Sequence, residues 1–303
     1  MIIFDYTGIA YASIFAPIGI PEEDIDERIV RHMILNTLRM YVDMLAKDYG
    51  GPVYIAADSN SWRKEIFPHY KAARKKKRED RKIDWKMAHE TMDTVFEEID
   101  DILPYHTLRV PRAEADDIIG VLVRDHSKSD NDGRIVIVSS DKDFVQLQKY
   151  EKVDQYSPNR KTYIREDHPN EALFEHVVRG DTSDGVPNIL SDEDTLVTEG
   201  KRQKPMAAKK LAEWTSDYEG FQQNILGENP ELAKRFRTNY QLIALSETPR
   251  DLVEEIRNAI AASTDKTAPT KKDFYQYLID NRCSELIESI DDFYKTKTMI
   301  SLV

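Results

Sequence analysis

One cysteine, Cys283, occurs in 303 residues, which excludes an intrachain disulfide and a zinc site built on cysteine sulfur. Long apolar runs are also missing; none approaches the roughly 20 residues of a membrane helix. The start, MIIFDYTGIAYASIF, lacks a basic stretch and is broken by Asp5, which argues against a signal peptide. These absences fit a reducing, cytoplasmic setting. No GxxxxGKS or GxxxxGKT segment occurs, so the phosphate-cradling loop of an NTPase is excluded. There is no repeat of fixed period and no long low-complexity tract. What remains is 40% hydrophobic and 32% charged, the composition of a soluble globular chain with room for one large domain or two. The net charge of −12 by itself argues against a polyanionic partner, but the charge is unevenly spread.

The first half alternates strand and helix signals. MIIF, PVYIAA, HTLRV and RIVIVSS read as buried strands. Between the first two, Ile29, Met33, Thr37, Tyr41 and Leu45 recur four apart beside Val30, Ile34, Leu38 and Val42, a broad apolar helix face. AEADDIIGVLVRDHS reads as a further helix. The alternation predicts an α/β fold with a mostly parallel central sheet flanked by helices. After about residue 170 helices dominate, around 170–178, 206–215, 230–245, 250–262 and 272–295, and 190–205 reads as an exposed polar loop. The expected division is 1–170 and 171–303.

Ligands of such sheets bind beyond the carboxyl ends of the strands, and there the acids gather. Asp5 ends the first strand and Asp58 the second. Glu114, Asp116 and Asp117 open the helix after the third, and Asp141 and Asp143 follow the fourth. One such acid is ordinarily a helix cap or a turn residue. EADD at a helix start can simply complement the helix dipole. Four strand ends that share the feature point instead to a common site. Carboxylates at one rim repel and resist desolvation, so they need a cation. An oxygen-rich, sulfur-free set suits Mg²⁺ or Mn²⁺, two of which can clamp the attacking and leaving oxygens of a phosphodiester. Two rivals fail on the residues. A dehalogenase-type phosphatase would need its second Asp at Thr7, and a calcium loop would need an Asp and a Gly where Val145 and Gln146 stand.

Residues 62–82, WRKEIFPHYKAARKKKREDRK, reverse the sign of the chain locally. Arg63, Lys64, Lys71, Arg74, Lys75, Lys76, Lys77, Arg78, Arg81 and Lys82 face only Glu65, Glu79 and Asp80. A charge run is ordinarily a solvated face. Here Trp62, Phe67, His69 and Tyr70 are interleaved, the pattern of phosphate contact with base stacking.

In order, FDYTGIA, AADSNSWRKEIFPHYKAAR, AEADDIIGVLV, IVIVSSDKDFVQL, QYSP and RGDTSDGVPN resemble the 5′-nucleases, the flap endonucleases and 5′→3′ exonucleases, and among them the phage replication enzymes of T-even ribonuclease H type. The pieces span residues 1–190. The resemblance implies a PIN-like 5′-nuclease fold with a helical arch over about 60–84 and a helical duplex-binding region behind it. It implies two Mg²⁺, replaceable by Mn²⁺. Ligands or their water-bridged partners would be Asp5, Asp58, Glu114, Asp116 and Asp141 for one ion, and Asp117, Asp143, Asp181 and Asp184 for the other. Asp181 and Asp184 enter only through the resemblance; their spacing would put them on one helical face. YKAAR implies Lys71 and Arg74 as catalytic cations at the scissile phosphate. DNA contacts would come from Arg63, Lys64, Tyr70, Lys75, Lys76, Lys77 and Arg78.

One departure stands out. The family's glycine-rich hairpin, which grips duplex backbone and binds K⁺, is missing, and Gly185 stands where Asn is common. This puts the K⁺ site in doubt. Duplex contact would be rebuilt from Lys201, Arg202, Lys204 and from Lys209 or Lys210 on PMAAKKLAEW. The expected activity is metal-dependent removal of 5′ flaps and RNA primers from branched or nicked DNA and RNA–DNA hybrids, by a monomer. A sliding clamp and a single-strand-binding protein would be its partners, with MISLV a weak clamp-binding candidate. The setting would be the cytoplasm, the host cell's if the chain is phage-encoded. Two alternatives compete. A PIN-type ribonuclease would be shorter and lack the arch. A non-catalytic nucleic-acid binder would have no use for clustered carboxylates.

Overall fold

The structure, a computed structural model, describes residues 1–14, 21–72, 83–129, 133–267 and 269–299. Arg74, Lys75, Lys76, Lys77, Arg78, Arg81 and Lys82 lie outside the described residues, as does the end of MISLV. The elements are β1 (Ile2–Asp5), α1 (Tyr6–Ile14), α2 (Glu27–Tyr49), β2 (Val53–Ala56), α3 (Arg63–Ile66), α4 (Trp85–Ile102), β3 (His106–Leu108), α5 (Ala115–Lys128) and β4 (Ile135–Val138). A 3-10 helix (Lys142–Lys149), β5 (Val153–Ser157), β6 (Thr162–Ile164) and α6 (Pro169–Arg179) follow. Then come α7 (Ala208–Ser216), α8 (Tyr218–Gly220), α9 (Pro230–Ile243), α10 (Arg250–Thr264) and α11 (Lys271–Asp280).

The strands form one sheet in the order β3-β2-β1-β4-β5-β6, parallel except for β6. The chain builds outward from β1 to β3, then returns to the other side of β1 to place β4. The order therefore reverses between β1 and β4, where α/β sheets open a ligand crevice. Every residue of β1, β2 and β4 is buried, as apolar strands covered on both faces require.

Alternation along β1 divides the core. Ile2 and Phe4 face α1, α2 and α4, while Ile3 faces α5. Each of these side chains is fully buried and stabilises by about 1.5–3 kcal/mol. Asp26 caps α2 by accepting from the Ile29 N–H, and the buried stripe Val30, Ile34, Leu38, Val42 and Leu45 packs on the first face. Phe274, Leu278, Cys283 and Phe293, from beyond residue 270, join that same cluster. Leu245, Leu252 and Ile256 complete the α5 face. A third cluster gathers Phe174, Val177, Trp214, Phe221 and Phe236, and it reaches back to Phe67 and Tyr70.

Several expectations change. β5 and β6 have no apolar-run signal and went unread; they edge the sheet with residues such as Asp154, Gln155 and Thr162. The helix expected over 272–295 breaks after Asp280, where Cys283 is buried and short 3-10 turns take over. Residues 190–205 hold neither helix nor strand, but the loop is anchored: the Asn188 N–H donates to the Gln203 side chain at 2.7 Å, and its amide donates to the Lys204 carbonyl at 2.8 Å. Asp181 and Asp184 stand on a turn, not a helix, closed by the Val186 N–H donating to the Asp181 carbonyl at 2.7 Å.

Candidate metal centre

The crevice between β1 and β4 is lined by acids whose positions follow from backbone geometry. Asp5 is the last residue of β1, and its Oδ1 accepts from the Gly8 N–H at 3.2 Å. A Cβ at Gly8 would lie 2.8 Å from Asp5 Oδ2, so only glycine leaves that carboxylate its place. Ser139, just beyond β4, donates to Asp5 Oδ2 at 2.8 Å. The next turn is pinned from β5. Fully buried Gln155 donates to the carbonyls of Ser139 at 3.1 Å and Asp141 at 2.6 Å. Asp141 caps the following 3-10 helix through the Asp143 N–H at 2.9 Å. On the other flank, Asp58 accepts the Ala115 N–H at 2.9 Å and so caps α5, which carries Asp116 in its first turn.

Electrostatics ties these acids into one group. Burial, then Asp58 and Asp141, push Asp5 up to about 7. Burial, then Asp141 and Asp5, drive Asp116 well above the usual carboxylate range. Asp143 is raised to about 7 by burial and by Asp141, with Asp181 and Asp184 adding and His176 opposing. Asp143 Oδ1 is buried without a hydrogen-bond partner among the described residues. The carboxylates are held together and short of positive charge at a rim that buries Asp5, half-buries Asp116 and Asp143 and leaves Asp58 and Asp141 exposed. That is the condition a divalent cation relieves, and the donor set is almost all oxygen.

The second half of the proposed ligand set behaves differently. Asp117 is 0% exposed and turned away from the crevice. Arg63 donates to both its oxygens at 2.9 and 3.0 Å; Thr248 donates at 2.8 Å, the Glu114 N–H at 3.0 Å and the Trp62 indole N–H at 3.2 Å. No oxygen of Asp117 is left for an ion, which corrects its assignment as a ligand. Arg63 corrects likewise. It is 2% exposed, paired with Glu114 at 3.0 Å and donating to the Leu242 carbonyl at 2.7 Å, so it meets no DNA. Tyr70 is 4% exposed, and its hydroxyl lies 2.8 Å from both the Glu114 and the Asp184 carboxylates, with one proton shared between them, which removes it as a stacking surface.

Lys71 sits at the seam. Its φ is +57°, a left-handed conformation that costs an L residue about 1 kcal/mol. The turn is fixed by its N–H donating to the Asp184 carbonyl at 2.7 Å. Gly185 (φ +78°) passes close enough that a Cβ would lie 2.8 Å from the His69 carbonyl. The Lys71 ammonium meets Glu114 and lies 3.8 Å from Asp184. Burial opposes ionisation of Glu114, but Lys71 and Arg63 outweigh it and hold that acid below its usual range.

Two further side chains, His176 and Lys142, join the rim from α6 and the β4 turn. His176 lies 3.3 Å from Asp143 and 3.1 Å from Asp181. Lys142 begins the 3-10 helix after β4 and reaches Asp181 at 3.1 Å. Burial works against the Asp181 charge, yet His176, Ser183 and Lys142 together hold it far below the usual range. Lys64, Lys201, Arg202, Lys204, Lys209 and Lys210 are exposed. Of these, Lys201 pairs with Asp194 at 2.7 Å and Lys210 lies over the Trp214 ring at 4.7 Å. No helix among the described residues is long and apolar enough to cross a membrane.

A family model described as the 5′-3′ exonuclease N-terminal resolvase-like domain matches residues 1–175, and one described as the T4 RNase H C-terminal domain matches residues 169–293. Ribonuclease H of Enterobacteria phage T4 is 30% identical over 300 residues, 96% of this chain and 95% of that protein. Among solved structures, a phage T5 flap endonuclease in complex with DNA and metal ions shares the fold at a TM-score of 0.60 and 17% identity, over 87% of this chain and 99% of that one. The T5 5′-exonuclease with bound zinc ions does so at 0.53 and 17%, over 100% and 98%.

Proposed function

The chain belongs to the 5′-3′ exonuclease family, and from that premise we propose that it is a metal-dependent phosphodiester hydrolase that removes 5′ flaps and RNA primers at branched or nicked DNA with two Mg²⁺. One observation carries this reading. Asp5, Asp58, Asp116, Asp141 and Asp143 share the β1/β4 crevice, and the upward shifts of Asp5, Asp116 and Asp143, from burial and mutual repulsion, support a rim that takes up cations. When bound, divalent ions would supply an activated water and charge neutralisation on the phosphate. Asp5, Asp58, Asp116 and Asp141 would hold one ion, and Asp143 with Asp184 the other. Glu114 holds Lys71 beside the crevice, where its ammonium can turn to the scissile phosphate. Arg74 would assist from the arch.

Lys64 and the exposed basic loop with Lys201, Arg202 and Lys204 would carry the duplex, joined by Lys209 and Lys210 at the start of α7. The working division is residues 1–170 for chemistry and 171–303 for duplex contact. A sliding clamp and a single-strand-binding protein are the partners we propose, in the cytoplasm of the host cell. A 5′-labelled flap and an RNA-primed duplex, each incubated with Mg²⁺ and mapped at nucleotide resolution, test the reading. Cleavage at the branch and release of short 5′ products are expected; no Mg²⁺-dependent product from native protein would overturn it.

A further inference from the structure

Asp143, His176 and Asp181 each place one potential ligand atom within 4.8 Å of the others. Their arrangement is asymmetric, and the asymmetry assigns roles. Asp181 has no oxygen to spare. Its Oδ1 accepts from the Ser183 N–H at 2.8 Å and the Asp184 N–H at 3.2 Å, and its Oδ2 from His176 Nε2 at 3.1 Å, with Lys142 also at 3.1 Å. Asp143 Oδ1 is the reverse case, buried and without a hydrogen bond, yet only 3.3 Å from His176 Nδ1. If Nε2–H donates to Asp181, Nδ1 carries a lone pair. Two lone-pair atoms then face each other 3.3 Å apart at the wall of a pocket that Lys142 and Gln146 also line. Neighbouring ligands of a six-coordinate ion with bonds near 2.1 Å lie about 3 Å apart, close to that gap.

We infer that His176 Nδ1 is a metal ligand beside Asp143, and that Asp181 is a positioning residue that fixes the imidazole through Nε2–H. This is the carboxylate–histidine–metal arrangement in which the outer acid sets tautomer and ring orientation. The inference rests on the proposed metal centre and deepens it. Its consequence is selectivity. An imidazole nitrogen favours Mn²⁺ and later transition ions over Mg²⁺, which prefers oxygen and water. One position of the centre therefore prefers Mn²⁺, although the rest of the rim is built from oxygen.

Pulsed electron paramagnetic resonance on the native protein with Mn²⁺ tests the assignment without measuring turnover. Native protein should show a nitrogen coupling to bound Mn²⁺. His176→Gln, shown to be folded by circular dichroism and its melting curve, should lose that coupling and bind Mn²⁺ at least about tenfold more weakly, with Mg²⁺ binding nearly unchanged. Asp181→Asn should keep the coupling while weakening Mn²⁺ by about 10–100-fold. Bound Mn²⁺ without nitrogen coupling, or coupling that survives in His176→Gln, overturns the role of His176 and leaves the metal centre standing. Failure of the native protein to bind Mn²⁺ at all overturns both.

Discussion

Asp116 and Asp117 are consecutive residues in the first turn of α5, yet they belong to opposite surroundings. Asp117 is enclosed by Arg63, Trp62 and Thr248, each donating to it, and neighbouring Glu114 shares Arg63 and Lys71. Asp116 faces Asp5, Asp141 and Asp143, and its pKa rises accordingly. Consecutive helix positions point about 100° apart, so one acid can serve the fold while the next serves a site. The compensated side ties α3, α5 and the Leu242–Thr248 segment together. The uncompensated side is a standing repulsion that the compensated side holds in place.

The largest effect should come from breaking the uncompensated side. Asp116→Asn with Asp143→Asn removes two rim charges. Divalent-dependent cleavage should fall by at least ~10³-fold, several kcal/mol of transition-state stabilisation. Metal-free melting temperature should hold or rise, because two half-buried, mutually repelling acids are gone. A drop in melting temperature would move both acids into the structural group. Next in size is Arg63→Ala, which strands Asp117 and Glu114 as buried charges. Urea unfolding should show a loss of about 3–5 kcal/mol. A loss near that of a surface substitution, under about 0.5 kcal/mol, would mean the compensated side does not depend on Arg63.

How far this division was legible can be argued from the same residues. The sheet and its acidic rim were readable because IIFD and IVIV carry their burial and their acids in adjacent positions. The separation of Asp116 from Asp117 was only partly legible: consecutive helix positions point about 100° apart, but nothing in EADD says that Arg63, Trp62 and Thr248 enclose the second acid. Arg63 was misread because its partners lie 51 and 54 residues away in Glu114 and Asp117, and a buried arginine looks like its solvated neighbours in a basic run. β5 was missed because its essential residue is polar: Gln155 is buried to hold the turn of Asp141, which no apolar periodicity reports. His176 left no signal beyond a lone histidine on an amphipathic helix five residues before Asp181.

Lys71 stands between the two sides and gives the third test. Its pairing with Glu114 is structural, and the role proposed for it at the scissile phosphate is chemical. Lys71→Ala should lower kcat on the order of 10²-fold with a smaller change in KM, because the charge it answers develops in the transition state. A rise in KM alone would assign Lys71 to binding.

The smallest effect is the most direct measure of missing compensation. Asp5 and Asp143 have pKa values of about 7 in the folded chain, against about 3.9 for an unfolded aspartate. Between those values the folded state binds more protons. The stability these groups contribute is complete below about pH 4 and is lost as pH rises through 7. Glu114 and Asp181 are shifted downward, so what they contribute is already complete above their unfolded values and falls only in acid. The Met1 amino group, lowered to about 6 by burial, and His32, also lowered by burial, act against the rim because they make the folded state bind fewer protons. The informative quantity is therefore a difference. Metal-free native protein should lose more melting temperature between pH 5 and pH 8 than metal-free Asp5→Asn does. Excess Mg²⁺ should shrink that difference by holding the rim acids ionised. Equal pH slopes for the two proteins without metal would mean that Asp5 is compensated after all, and that the two sides of α5 differ less than their geometry indicates.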